Sequence, residues 1–158
     1  MNEESFEGGC GCGEVRYRMS RRPMVVHCCH CTWCRRESGA AFALNGMVEG
    51  TAITLTEGPV ESIDTPTKSG RGQKLSRCPK CRMALWGNFS TAGQLIHFVR
   101  MGTLDEPDLF PPDVHIFTST KLPWLELGDE IPSFAEFYVK ADMWSQDSID
   151  RYNNALGV

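Results

Sequence analysis

Seven of the eight cysteines lie in three short clusters, Cys10-x-Cys12, Cys29-x-Cys31-x-x-Cys34 and Cys78-x-x-Cys81. Thiolates one or two residues apart converge on a single soft cation, because a tight turn aims neighbouring side chains at one point. Zn²⁺ takes such ligands in a tetrahedron; structural sites fill all four positions and catalytic sites keep one open. Seven clustered thiols therefore divide into a set of four and a set of three, which predicts two Zn²⁺ per chain. Cys10, Cys12, Cys78 and Cys81 read as the complete, structural set, a clamp between the N-terminal edge and a mid-chain hairpin. Metal binding of this kind contributes roughly 10–16 kcal/mol in small zinc peptides and can carry much of a fold's stability. Cys29, Cys31 and Cys34 read as the open, catalytic set, where a water or an incoming thiol would complete the shell and be polarised. With one ligand fewer, that site holds its metal less firmly and is the one expected to be partly empty.

The residues around the open set carry competing readings. Cys28, Cys31 and Cys34 also spell C-x-x-C-x-x-C, the start of an iron–sulfur run, but position 38 is Ser38 where that run needs its fourth cysteine. Cys28 is read instead as a small buried hydrophobe. His27 and His30 are candidate fourth ligands or bases, each set against an ordinary structural histidine. Arg35 and Arg36 would offset the charge of a three-thiolate centre or attract an anionic substrate, or simply line a solvated turn. Trp33 would wall a substrate pocket or pack on the metal loop. His97 alternates with Ile96 and Phe98 and reads as structural.

The elements that must position these residues are mostly short strands punctuated by Gly, Pro and Asn. Apolar or alternating runs are predicted at residues 15–19, 24–29, 42–48, 52–56, 60–65, 74–77, 84–89, 95–101 and 114–118. Residues 65–72 read as an exposed hairpin loop and 107–112 as an irregular connection. Only 146–156 shows helical spacing, through Ile149, Tyr152 and Leu156. The expectation is a mainly β single domain, residues 1–158, with a short C-terminal helix. Phe110 to Trp124, with Phe134, Phe137 and Tyr138, reads as core or as the contact of a homodimer; Met143 and Trp144 read as core.

Composition narrows the function classes. The chain has 158 residues, 41% hydrophobic and 23% charged, with a formal net charge of -4 that seven metal-bound thiolates would make more negative. Such a chain, without a Lys/Arg block, is expected to bind neither nucleic acid nor a membrane surface. The acidic, polar N-terminus does not read as a secretory signal, so a cytoplasmic location is expected. Closely spaced cysteines in that reducing compartment are metal ligands before they are disulfides or redox thiols.

Taken together, Gly9-Cys10-Gly11-Cys12-Gly13, Cys29-His30-Cys31-x-x-Cys34-Arg35-Arg36 with Ser38-Gly39-Ala40, and Arg77-Cys78-x-x-Cys81 resemble the glutathione-dependent formaldehyde-activating enzyme family, also called the centromere-protein-V/GFA family. Gly102-Thr103-Leu104-Asp105, His115-Ile116-Phe117-Thr118 and Lys121-Leu122-Pro123-Trp124 extend the resemblance, which covers about residues 7–138. It implies an Mss4-like fold of coiled antiparallel sheets around zinc, with the four- and three-cysteine sets as structural and catalytic zinc ligands. It also implies a carbon–sulfur lyase whose partners are a small-molecule thiol and an aldehyde, with glutathione and formaldehyde giving S-hydroxymethylglutathione. Within the matching tail, His115 is a candidate proton carrier and Lys121 a candidate partner for a substrate carboxylate. Other Mss4-like proteins suggest the alternative of a non-enzymatic module that docks a protein partner. Arg82 stands where the family usually carries Gly, which puts the knuckle turn in question.

Overall fold

The computed structural model describes residues 4–158 as two sheets packed face to face. The smaller contains β1 (Phe6–Gly9), β2 (Arg16–Met19) and β5 (Ile53–Glu57), in the order β1-β2-β5. The larger contains β3 (Val25–Cys29), β4 (Ala43–Glu49), β6 (Glu61–Thr65), β7 (Gln73–Arg77), β8 (Ala84–Phe89), β9 (Ile96–Arg100) and β10 (Val114–Ile116). Its order is β10-β3-β4-β9-β8-β7-β6. Every strand pair is antiparallel except β10 on β3, which is parallel and sets His115 opposite Cys28.

One core fills the space between the sheets. Val15, Tyr17 and Met19 alternate inward from the smaller sheet onto Val26, Val48, Leu85, Trp86, Val99 and Met101. The opposite face of the larger sheet carries Val25, Met47, Ile96 and Val114, covered by Tyr138, Trp144 and helix α3 (Gln146–Leu156). Strand β3 is thus buried on both faces, which is why Val25–Cys29 has no polar alternation to read. Gly8 is required where β1 crosses Tyr17: a Cβ there would lie 2.6 Å from the Tyr17 ring.

Three local expectations are corrected. Residues 146–156 are not the only helix: α1 (Thr32–Ser38) follows the cysteine-rich strand, and a single turn, α2 (Lys140–Met143), precedes α3. α1 has no buried residue, so it offered no apolar stripe, and what starts and stops it are caps. The Cys31 sulfur accepts from the Cys34 N–H, and Gly39 ends the helix in the left-handed conformation. β1 was also missed, because Phe6-Glu7-Gly8-Gly9 is too short and glycine-rich to read as a strand. The knuckle turn, finally, is kept without its glycine. Arg82 takes φ +66°, its N–H reaches the Cys78 carbonyl at 2.9 Å, and Arg77 Nη1 donates to the Arg82 carbonyl at 2.9 Å.

Candidate metal centres

The turns that join strands across the two sheets bring Cys10, Cys12, Cys78 and Cys81 together. Cys10 and Cys12 lie in the β1–β2 turn and Cys78 and Cys81 in the β7–β8 turn, so the cluster ties one hairpin of each sheet to the other. Sulfur separations are 3.5 Å for Cys10–Cys12 and 3.7 Å for Cys12–Cys78. A tetrahedral zinc–thiolate site has edges of about 3.8 Å, so the donors stand at coordination spacing. Burial opposes ionisation of Cys10, but the Val15 N–H and the thiols of Cys12 and Cys78 outweigh it and bring the group down to about 6.

Cys29, Cys31 and Cys34 form a second group, their sulfurs within 4.8 Å of one another. Cys29 ends β3, Cys31 caps α1, and Cys34 stands one turn along the helix. Hydrogen bonds from Cys29 and Cys34 hold Cys31 well below the usual thiol range, and the N–H groups of Cys34 and Trp33 add to them. Cys34 is pushed up to about 11: a hydrogen bond with Cys29 and the Arg100 charge favour its thiolate, but the neighbouring Cys31 thiolate and burial prevail. The three titrate as one soft-donor set, with the first negative charge on the helix cap. These donors fit a zinc ion with one position left for an exogenous ligand.

Neither histidine expected as a fourth ligand joins this group among the described residues. His27 Nε2 is hydrogen-bonded to the Tyr138 hydroxyl, and His30 Nε2 faces His115 Nδ1 at 3.0 Å. β10 carries the ring of His115, the candidate proton carrier, into the interior beside His30 and Cys28. Lys121 is half-buried, and its ammonium donates to the carbonyls of Leu122 and Leu125 at 3.3 and 2.7 Å, leaving one N–H without a partner among the described residues. Trp33 is exposed on α1 beside Cys34, and Arg35 and Arg36 on the same helix make no ion pair among the described residues. His97 is structural, as expected: it stacks on Trp86, and Nδ1 faces the Asn88 amide at 2.7 Å.

Sequence reasoning missed the group that connects the two cysteine centres. The Glu37 carboxylate on α1 accepts from Arg77 Nη2 and Arg100 Nη2. Arg77 precedes Cys78 and also holds the knuckle carbonyl of Arg82, while the Arg100 charge acts on Cys34. The side chains of Glu37, Arg100 and Arg77 are 11%, 15% and 24% exposed, so the fork is largely shielded from water. Nothing in the local pattern of Arg-Arg-Glu-Ser distinguishes Glu37 from an ordinary surface carboxylate.

Comparison with known proteins adds a family. A family model described as "Glutathione-dependent formaldehyde-activating enzyme" matches residues 5–120. A Halomonas elongata protein named "Putative glutathione-dependent formaldehyde-activating enzyme" is 33% identical over 133 residues, 77% of this chain and 80% of that protein. A crystal structure of a Rhodobacter sphaeroides protein superposes with a TM-score of 0.46 at 16% identity, over 63% of this chain and 87% of that one. No helix among the described residues is long and apolar enough to cross a membrane.

Proposed function

Because the chain belongs to the glutathione-dependent formaldehyde-activating enzyme family, we propose that it is a zinc-dependent carbon–sulfur lyase acting on the adduct of a small thiol and an aldehyde. The observation that carries this reading is the three-thiol group on the cap of α1, which no fourth His, Cys, Asp or Glu joins among the described residues. Cys29, Cys31 and Cys34 would hold the cation, and Cys10, Cys12, Cys78 and Cys81 a second, structural one. A zinc ion in the three-thiol site would supply Lewis-acid stabilisation of a substrate thiolate near neutral pH.

The chain's own residues supply the rest. Arg35 and Arg36, without an ion pair among the described residues, provide positive charge on the helix that carries Cys34, suited to the carboxylates of an anionic thiol such as glutathione. Trp33 offers an exposed face beside that charge, and the remaining N–H of Lys121 is the further candidate for a substrate carboxylate. In the forward direction the substrate sulfur forms a bond to the aldehyde carbon, the carbonyl π pair moves to oxygen, and that oxygen takes the proton lost by the thiol. The reverse breaks the same carbon–sulfur bond.

Exchange NMR of glutathione with formaldehyde, with zinc-loaded protein against Cys31→Ser, tests this. Faster exchange by the parent protein and none by the variant is expected. Exchange no faster than buffer, with two zinc ions bound, removes that substrate pair. A protein nitrogen found at the fourth position of the three-thiol site would favour the docking module instead.

A further inference from the structure

A third group of donors stands apart from both cysteine centres. Cys28, His30 and His115 each offer one ligand atom, all within 4.8 Å of one another and all buried. By strand alternation Cys28 leaves β3 on the face opposite Cys29, His30 follows one residue past the strand, and the parallel register of β10 places His115 directly beside Cys28. Cys28 Sγ is 3.5 Å from His30 Nε2, which is 3.0 Å from His115 Nδ1. For a tetrahedral ion the edges are about 3.6 Å for S···N and about 3.3 Å for N···N. These two edges lie within a few tenths of an ångström of coordination spacing.

The trio is also short of partners for its burial. His30 is fully buried and its Nδ1 has no hydrogen-bond partner among the described residues, so one short contact and a thiol must offset the desolvation of a whole ring. From one thiol and two imidazoles, we infer that Cys28, His30 and His115 form a third cation site, suited to a soft monovalent d¹⁰ ion of the Cu⁺ class.

The ion class follows from donor type and charge. Thiolate and imidazole together select Cu⁺ or Zn²⁺ over hard cations. One thiolate with Cu⁺ and two neutral imidazoles leaves no net charge in the interior, whereas Zn²⁺ leaves one positive charge near the Lys121 ammonium, which already acts on His30. An uncompensated charge in the interior is strongly unfavourable. Binding displaces the Cys28 proton to solvent and involves no change of oxidation state.

The test adds one equivalent of chelator-buffered Cu⁺, or of Zn²⁺, to the zinc-replete protein without oxygen. Elemental analysis counts copper and zinc per chain, and X-ray absorption reads the donors around copper. A third ion with two nitrogens and one sulfur, zinc retained at two, is expected. Cys28→Ala and His115→Gln should lose it while keeping both zinc ions, which also shows that they fold. An all-sulfur copper shell with zinc released, a third ion kept by both variants, or saturation at two overturns the site. Uptake of a third Zn²⁺ with no Cu⁺ overturns the charge assignment.

Discussion

Replacing Glu37 by Gln tests whether the two cysteine centres are mechanically joined. The substitution keeps the side chain's shape, removes its charge, and turns one acceptor oxygen into a donor facing a guanidinium. Arg77 keeps the Arg82 carbonyl and Arg100 keeps Asn45 Oδ1, so neither cation is stranded. The loss is therefore smaller than the 3–5 kcal/mol of a fully orphaned buried charge, and about 2–3 kcal/mol is expected. It should fall unevenly. α1 has seven residues and no buried side chain, far below the length at which a helix stands alone, so its docking depends on this fork. If about 1.4 kcal/mol of the loss is expressed as looser placement of Cys31 and Cys34, the affinity of the three-thiol site falls tenfold. Denaturant unfolding of the zinc-loaded protein reads the first quantity. Competition with a chromophoric chelator, which should release zinc in two phases, reads the second, with only the weaker phase weakened further in the variant. Unfolding within 0.5 kcal/mol of the parent, together with unchanged release, would refute the linkage; equal weakening of both phases would show a general loss of stability instead.

Other consequences are as direct. Arg82→Gly relieves the left-handed backbone at φ +66°, about 1 kcal/mol, and gives up an exposed ion pair with Glu61 worth about 0–1 kcal/mol. Thermal unfolding should rise slightly or stay level, and a clear fall would contradict the strain argument. Burial brings His27 and His97 down to about 4, so both stay neutral while their unfolded counterparts protonate. The unfolded state then binds more protons between pH 6.5 and 4, and stability should fall with acid across that window; His97→Gln should flatten the curve of denaturation midpoint against pH. Burial opposes the Glu49 carboxylate, but its bonds to Arg151 and Arg21 win and take it down to about 2. That tie between β4 and α3 is intact above about pH 4.5 and is lost as pH falls towards 2, so Glu49→Gln should remove the lower part of the same acid transition. Stripping the four-cysteine centre with a chelator should expose Trp86 between the sheets, seen as a red shift in its fluorescence, while Cys31→Ser, which weakens only the other centre, should not.

Much of this was legible along the chain because the donors come in tight local clusters. Spacing alone separated four thiols from three, and the structure gathers the same seven residues into the same two groups. Strand periodicity located nine of the ten strands, since each is flanked by Gly, Pro or polar turns. What stayed hidden depends on register and on contacts distant in sequence. No periodicity reveals that β10 lies parallel to β3, so Cys28 could be read only as a small apolar filler rather than as the neighbour of His115. Helix α1 escaped because it is held by capping and by Glu37, whose two partners lie 40 and 63 residues away.

The clamp between the hairpins also bears on how the protein is made. Cys12 and Cys78 are 66 residues apart, so a chain leaving the ribosome shows Cys10, Cys12, Cys29, Cys31 and Cys34 well before Cys78 and Cys81. Five sulfurs are enough to trap one zinc in a mispaired tetrahedron, which later thiols must dismantle by ligand exchange. Refolding should therefore slow as free zinc rises and quicken when a weak chelator buffers it, so that the chain's own ligand supply, rather than collapse of its apolar surface, sets the pace of maturation.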